Sequence, residues 1–168
     1  LAGLPEVMVH AVDHTASLAK WLQQASVLVV GPGLGQTAWG RALLQLALQS
    51  NRPMVVDADA LNLLAQADSR AAINRSNWIM TPHPGEAARL LGVCTADIHA
   101  DRFAAAVSLQ RRFGAAVVLK GAGSVICAYP DKPLAICSDG NPGMASGGMG
   151  DALSGVIAGL LAQQWSLQ

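Results

Sequence analysis

The sequence predicts an α/β fold built on a mostly parallel sheet, and three observations support this. Short aliphatic runs alternate along the chain with longer stretches whose apolar residues recur at helical spacing. The short runs are apolar at successive positions, which is typical of parallel strands covered by helices on both faces. The last β-rich runs are joined by the short segment 121–123, which predicts an antiparallel return at one edge.

The predicted elements follow one another in a regular order. The run at residues 27–30 is a buried strand that enters a glycine loop at 31–35, and a helix follows from about residue 37 to 48, with Thr37 as its N-cap. Further strands are predicted at residues 53–56, 78–80, 117–120, 124–128 and 134–137. Further helices are predicted at residues 60–65, 86–91, 101–113 and 151–163.

Composition excludes several classes of protein. Hydrophobic residues make up 52% of the 168 residues and charged residues 13%, so the chain can bury a core and is not a disordered segment. Lys+Arg and Asp+Glu are both 11, without the basic excess of a nucleic-acid-binding protein. No apolar run approaches the roughly 20 residues of a membrane span. Cys94, Cys127 and Cys137 are expected to be reduced, core-packed thiols of a cytoplasmic protein.

Both ends of the sequence predict that the chain is part of a longer protein. It begins at Leu1 rather than at Met, and it ends at Gln168 just after an apolar helical stretch. A truncated sheet exposes a strand edge and apolar faces, which favour association between chains. We therefore expect a homo-oligomer.

Unusual residues collect at the carboxyl ends of the predicted strands, where parallel α/β sheets bind their ligands. The first glycine loop is not a dinucleotide fingerprint, because Gln36 stands where the third glycine belongs and Pro32 lacks an N–H group. A tight turn explains that loop as well as a ligand contact does. The segments at this edge are residues 31–35, Asp57 with Asp59, residues 81–86, residues 120–124 and the loop 140–151.

The sharpest signal is Gly147-Gly148-Met149-Gly150-Asp151, which opens the last predicted helix. Successive glycines let backbone N–H groups converge on an anion, and the helix N-terminus adds a partial positive charge. Asp151 fits a simple helix cap. A carboxylate beside an anion site also suits a base that activates a hydroxyl for phosphoryl transfer, and we favour that interpretation.

Three nearby residues each have a structural and a functional interpretation. Lys120 ends a strand, where it fits either an edge lysine or a contact to the phosphates of a nucleotide. His83 is held between two prolines, and it fits either a solvated residue or a ligand contact. Glu86 fits either a helix cap or a carboxylate that reaches Mg²⁺ through water.

Asp57 and Asp59 flank Ala58 at the end of a strand. If the strand continued through them, alternation would place both side chains on the same face. Asp57 is suited to a ribose hydroxyl or a metal-bound water, and turn formation explains Asp59.

Five segments, in order along nearly the whole chain, resemble the ADP/ATP-dependent NAD(P)H-hydrate dehydratase family of the ribokinase-like superfamily. The pairing of TPHPGE with GGMGD separates this family from sugar kinases, which share only the glycine–Asp loop. The resemblance implies a three-layer α/β/α fold, with the family's N-terminal portion and C-terminal helices not matched by residues 1–168. The segments are VVGPGLGQ (29–36), VVDADALNLLA (55–65), TPHPGEAARLLG (81–92), VLKGAGSV (118–125) and GNPGMASGGMGDALSGVIAGLLAQ (140–163).

The resemblance also implies an activity, which is repair of NADH or NADPH whose nicotinamide ring has gained water. The family phosphorylates the ring hydroxyl with ADP or ATP and then expels phosphate, with Mg²⁺ bridging phosphates and no metal ligand assigned to the protein. In many bacteria the domain is fused to an epimerase. By this resemblance Asp151 activates the hydroxyl and contacts the substrate, and Gly33 and His83 line the pocket for the hydrated ring. The nucleotide contacts would be Lys120, Gly121, Ala122, Gly123, Ser124 and Gly150, and the anion hole would be Gly147, Gly148, Met149 and Gly150.

Two other functions stay open at this point. A small-molecule kinase of the same superfamily would release a stable phosphorylated product. A non-catalytic nucleotide-binding module would bind nucleotide with or without Asp151 and turn nothing over.

Overall fold

The computed structural model describes residues 6–66 and 75–166, and it contains a mixed sheet in the order β1-β2-β3-β4-β5-β6. The strands β1 to β4 pair in parallel, β5 is antiparallel to β4, and β6 is antiparallel to β5. The predicted parallel sheet with an antiparallel edge is therefore confirmed. The strands are Leu28–Val30 (β1), Met54–Val56 (β2), Trp78–Met80 (β3), Ala116–Leu119 (β4), Ser124–Cys127 (β5) and Ala135–Cys137 (β6).

Helices connect the strands and complete the order expected of an α/β chain. The starts of α2, α3, α4, α6 and α7 fall within two residues of their predicted positions, whereas α1 and α5 were not predicted. Among the described helices, none is both long and apolar enough to span a membrane. The helices are Thr15–Gln24 (α1), Ala38–Gln49 (α2), Ala58–Gln66 (α3), Pro84–Leu91 (α4), Thr95–Ala100 (α5), Arg102–Phe113 (α6) and Met149–Ala162 (α7), with a short 3₁₀ turn at Pro142–Met144.

The main core lies between one face of the sheet and helices α2 to α6. The strands contribute Val56, Met80 and Leu119 to it, and the helices contribute Leu61 and Leu109; all five side chains are fully buried. Burying an aliphatic side chain of this size is worth about 1.5–3 kcal/mol. This apolar layer holds the carboxyl ends of the strands in a fixed arrangement.

The opposite face of the sheet is covered by α7, which packs against β1 and β2. Val55 is completely buried on this face, whereas its neighbour on β1, Val29, is 43% exposed. On α7 itself, Val156 and Leu160 are exposed. Helices thus lie on both faces, as predicted, and the second helical layer is the thinner one among the described residues.

The expectation that all three cysteines are core-packed is wrong for two of them. Cys127 on β5 is buried, but Cys94 and Cys137 are exposed, and all three thiols are free. Cys94 lies at the N-cap of the short helix α5, and Cys137 lies on β6, where every residue is exposed. The apolar character of the cysteine side chain therefore does not predict which of the three thiols is buried.

Candidate functional site

The carboxyl ends of the parallel strands lie at one edge of the sheet, and the predicted segments meet there. Gly31 follows β1, Asp57 follows β2, Thr81 follows β3 and Lys120 follows β4. Helix α7 approaches the same edge from the other layer, because Ser154 donates a hydrogen bond to the carboxylate of Asp57. This edge is the candidate functional site.

Asp57 is the centre of a buried polar network at this edge. Its side chain is 2% exposed. Oδ1 accepts hydrogen bonds from Lys120 Nζ at 2.8 Å and from the N–H group of Ala58 at 2.9 Å, and Oδ2 accepts one from Ser154 Oγ at 2.9 Å. A buried carboxylate is costly unless it is paired and hydrogen-bonded, and here both oxygens are satisfied by the protein. Asp57 therefore ties β2 to Lys120 and to α7, and its oxygens are engaged inside the protein rather than directed at a ribose or a metal-bound water.

Two unusual backbone conformations place this carboxylate. Gly31 has a φ of +129°, and a Cβ built on it would lie 1.7 Å from the carbonyl oxygen of Asp57, so only glycine fits at this crossing. Ala58 has a φ of +48°, which turns the chain directly from β2 into α3. The strand therefore ends before Asp59, and the alternation considered for the two aspartates does not apply.

Asp59 holds the glycine loop that follows β1. Its Oδ2 accepts a hydrogen bond from the N–H group of Gly35 at 2.9 Å, and its Oδ1 accepts one from Gln36 Nε2 at 3.1 Å. Gly33, in the same loop, is exposed with a φ of +66°, and nothing lies within 4 Å of a Cβ built there. The loop is thus fixed at one end, and its surface at Gly33 is open to a ligand.

The loop between β4 and β5 is held by Arg102, a residue that no sequence pattern predicted. Its guanidinium group donates hydrogen bonds to the carbonyl oxygens of Leu119 at 3.1 Å, Lys120 at 3.4 Å and Ala122 at 2.7 Å. The loop backbone packs closely on this group, since a Cβ on Gly121 would lie 2.9 Å from Arg102 Nη2. No motif marks Arg102, because its partners are main-chain oxygens 17 to 20 residues away.

The first turn of α7 sits directly on the Lys120–Asp57 pair. The helix begins at Met149 with Gly148 as its N-cap, so Gly150 lies inside the first turn. A Cβ on Gly150 would lie 3.3 Å from Lys120 Nζ and 3.5 Å from Asp57 Oδ2. The structure therefore brings Lys120 and Gly150 together. The N–H groups of the first turn have no partners within the helix, and together with the ammonium group they favour an anion.

Asp151 occupies the third position of α7 and is exposed. It is not the helix cap, because Gly148 takes that position, and its carboxylate accepts no side-chain hydrogen bond from the part of the chain that the structure describes. The capping interpretation is therefore wrong. What stands beside the anion-attracting turn is an exposed carboxylate that can take a proton.

His83 is the N-cap of α4, and its ring contacts the helix through Nδ1. That nitrogen accepts hydrogen bonds from the N–H groups of Gly85 at 3.0 Å and Glu86 at 3.4 Å, which assigns the proton of the neutral ring to Nε2. Glu86 Oε2 in turn accepts from the N–H group of His83 at 2.8 Å, which completes a capping box. Half of the His83 side chain is exposed. Glu86 is therefore a buried helix cap, and His83 presents its ring to solvent.

The carboxylates at this edge do not form a metal centre of their own. Within residues 6–66 and 75–166, no three His, Cys, Asp or Glu side chains come close enough to hold a metal ion. Asp57 and Glu86 are both engaged by protein donors.

Comparison with known proteins places this chain in one family. The sequence model of the NAD(P)H-hydrate dehydratase family matches residues 1–168. The bifunctional NAD(P)H-hydrate repair enzyme of Escherichia coli strain K12 is 52% identical over 166 residues, which cover 99% of this chain and 31% of that protein.

Two solved structures share the fold. A ribokinase-like superfamily protein from Enterococcus faecalis superposes with a TM-score of 0.83 at 32% identity, covering 96% of this chain and 56% of that one. The ADP/ATP-dependent NAD(P)H-hydrate dehydratase from Bacillus subtilis, co-crystallized with ATP and Mg²⁺, superposes with a TM-score of 0.67 at 31% identity, covering 82% and 47%.

The chain thus spans about a third of the Escherichia coli relative (31%) and about half of the two solved proteins (56% and 47%). The family match extends over the segments that build the edge site: the loop after β1, Asp57, the His83 turn, Lys120 and the first turn of α7. With this ribokinase-like architecture and a match over its entire length, the chain belongs to the NAD(P)H-hydrate dehydratase family.

Proposed function

We propose that the protein carrying this chain dehydrates hydrated NADH or NADPH, using ADP or ATP as phosphoryl donor. The proposal rests on the junction of Lys120 with the first turn of α7. There, a Cβ on Gly150 would lie 3.3 Å from the ammonium nitrogen. Asp151 follows immediately in the same turn. A cation, converging N–H groups and a carboxylate base at one place are the parts that phosphoryl transfer requires.

In this proposal the donor's phosphates bind against the first turn of α7 and Lys120. The ion pair with Asp57 holds the ammonium group in place, so that little side-chain freedom is lost when the nucleotide binds. Mg²⁺ bridging the phosphates would neutralise part of their charge. Arg102 keeps the loop after β4 in the conformation that meets the nucleotide. The nucleotide contacts proposed are Lys120, Gly121, Ala122, Gly123, Ser124 and Gly150, and the anion hole is the backbone of Gly147, Gly148, Met149 and Gly150.

The hydrated nicotinamide ring is proposed to lie between Gly33 and His83, with its hydroxyl group toward Asp151. Asp151 accepts the hydroxyl proton as the oxygen attacks the terminal phosphorus of the donor, whose phosphoanhydride bond breaks to release AMP from ADP or ADP from ATP. The C–O bond then breaks, because phosphate is a far better leaving group than hydroxide. The electron pair of the ring nitrogen assists this step. Loss of a proton from the neighbouring carbon restores the ring double bond.

The test is recovery of reduced-nicotinamide absorbance when hydrated NADH is mixed with ADP, Mg²⁺ and protein. It is run with this chain, with any longer protein that contains it, and with Asp151→Asn. Asp131→Asn is the matched control, because Asp131 is also an exposed carboxylate but lies between β5 and β6. Recovery that is lost only in Asp151→Asn supports the proposal. No recovery in any form with either ADP or ATP rules it out.

The same junction would also suit a kinase of a small hydroxyl-bearing molecule, because the transfer step is common to both reactions. The products separate the two functions. The dehydratase releases free phosphate and restores the nicotinamide, whereas the kinase accumulates a phosphorylated compound. A module that only binds nucleotide would retain binding in Asp151→Asn and would show no turnover.

We also infer the setting in which the protein works. The exposed apolar residues of α7, Val156 and Leu160, favour association between copies. The exposed thiols of Cys94 and Cys137 suit the reducing conditions of the cytoplasm. Fusion to an epimerase domain, in keeping with the bifunctional Escherichia coli relative, is part of the same proposal.

A further inference from the structure

A polar groove of about 530 Å³ lies at the outer side of α3 and α4. Four of its five lining side chains carry hydrogen-bonding groups, and one of them is a guanidinium. The reaction proposed above uses none of them. The lining residues are Gln36, Asn62, Ala65, Gln66 and Arg89.

The groove adjoins both elements that are proposed to hold the nicotinamide ring. On one side, Gln36 belongs to the loop that carries Gly33. On the other side, Arg89 lies beside His83: the position of a Cβ on Gly85 is 2.9 Å from His83 Cε1 and 3.8 Å from Arg89 Nη1. The groove therefore begins where the proposed ring pocket ends.

Hydrogen bonds hold the polar side chains of the groove in place. Arg89 Nε donates to Asn62 Oδ1 at 2.8 Å, and Gln66 Nε2 donates to Gln36 Oε1 at 2.9 Å. Arg41 donates to Gln66 Oε1 from the adjoining helix α2, which adds a second cation near the groove. These contacts occupy Arg89 Nε, and the two terminal nitrogens of that guanidinium donate to no other residue that the structure describes.

We infer that this groove binds the 5′-phosphate groups of the dinucleotide substrate, with Arg89 pairing with the phosphate oxygens and the Asn62 amide donating beside it. The inference rests on the proposed function, since it takes the ring to lie between Gly33 and His83. The phosphate is joined to the ring through a single ribose, so a ring in that pocket places the anion next to the groove. A guanidinium on an exposed side chain, with no hydrogen bond from its terminal nitrogens to the described residues, matches a phosphate with two parallel hydrogen bonds.

Steady-state kinetics of Arg89→Gln test the assignment. We expect the KM for hydrated NADH to rise about tenfold or more, as loss of a charge-assisted hydrogen bond predicts. The kcat and the KM for ADP should stay within about twofold, because the donor site is built from other elements. Arg89→Lys keeps the charge and loses the planar guanidinium group. Its KM for hydrated NADH should lie between those of the unmodified protein and Arg89→Gln. Arg112→Gln on α6 is the control for loss of an exposed arginine.

Equilibrium binding separates this inference from the proposed reaction. Affinities for NADPH, reduced nicotinamide mononucleotide, reduced nicotinamide riboside and ADP are measured with the unmodified protein and with Arg89→Gln, at two salt concentrations. A loss of affinity confined to the two phosphate-bearing nicotinamide ligands, and smaller at high salt, supports the inference even if no dehydration is observed.

Three results would overturn it. These are an equal loss for the riboside, which has no phosphate, an equal loss for ADP, and unchanged affinity for all four ligands. Failure of the unmodified protein to bind the mononucleotide more tightly than the riboside would do the same.

Discussion

The ammonium nitrogen of Lys120 lies 2.8 Å from Oδ1 of Asp57, in an ion pair that joins the ends of β4 and β2. The two partners differ in exposure, since the Asp57 side chain is 2% exposed and that of Lys120 is 21% exposed. Ser154 and the N–H group of Ala58 hold the carboxylate from the other sides. The pair therefore couples the position of a proposed nucleotide contact to the packing of α7.

Removing the two partners of this pair should have unequal effects on stability. Lys120→Met leaves a buried carboxylate without its counter-ion, and the free energy of unfolding should fall by about 3–5 kcal/mol. Asp57→Asn leaves a partly exposed ammonium group and an amide that can still accept hydrogen bonds, so the loss should be clearly smaller. Urea unfolding of both variants measures the difference. Equal losses would contradict the asymmetry.

Two glycines on the first loop should separate folding from substrate binding. Gly31→Ala places a methyl group 1.7 Å from the carbonyl oxygen of Asp57, which forces a backbone shift. The free energy of unfolding should fall by about 1–3 kcal/mol or more. Gly33→Ala meets nothing within 4 Å and has only its left-handed φ against it, at a cost of about 1–2 kcal/mol.

The kinetic expectation for the second variant is the more specific one. A methyl group on Gly33 would enter the proposed ring pocket. Gly33→Ala should therefore raise the KM for hydrated NADH by more than the small fall in its melting temperature would explain. Thermal unfolding and steady-state kinetics on both glycine variants provide the comparison. An unchanged KM in Gly33→Ala would show that Gly33 does not line the ring pocket.

Arg102→Ala should affect nucleotide binding selectively. The loop after β4 would lose the donor that engages the carbonyl oxygens of Leu119, Lys120 and Ala122. We expect the Kd for ADP to rise several-fold, which corresponds to a loss of about 1 kcal/mol or more in binding free energy. The affinity for NADPH should change little. Isothermal titration with both ligands measures this, with Arg112→Ala as the matched control. A parallel loss for both ligands would indicate general damage to the fold instead.

The three thiols should differ in reactivity. Burial raises the pKa of the Cys127 thiol above its ordinary value, and the positive charge of Arg111 offsets this only in part. A raised pKa lowers the thiolate fraction at a given pH, so Cys127 should need a higher pH for modification as well as an opening of the structure. Cys94 and Cys137 are exposed and should react first. Peptide mapping after iodoacetamide treatment at increasing pH follows each site, and early modification of Cys127 would be the contrary result.

Helix prediction succeeded or failed for local physical reasons. The start of α4 is encoded nearby, because His83 and Glu86 cap each other across three residues, and Gly92 ends that helix with a left-handed φ of +73°. Helix α1 was missed, and none of its residues is buried in the sheet core. Helix α5 was missed because its six residues are too few to show a helical period.

Patterns within the sequence were enough to predict the α/β order, the antiparallel edge, the family and the edge of the sheet where ligand-binding segments collect. These follow from apolar runs and contiguous motifs, whose information lies within a few residues. The contacts of Asp57 with Lys120 and Ser154, which lie 63 and 97 residues away, became visible only in the folded chain. The hydrogen bonds of Arg102 to the loop after β4 are likewise seen only in the folded structure, because main-chain oxygens carry no sequence signature. Such pairs form only when distant elements pack, and no local pattern records which donors that packing brings to a buried acceptor.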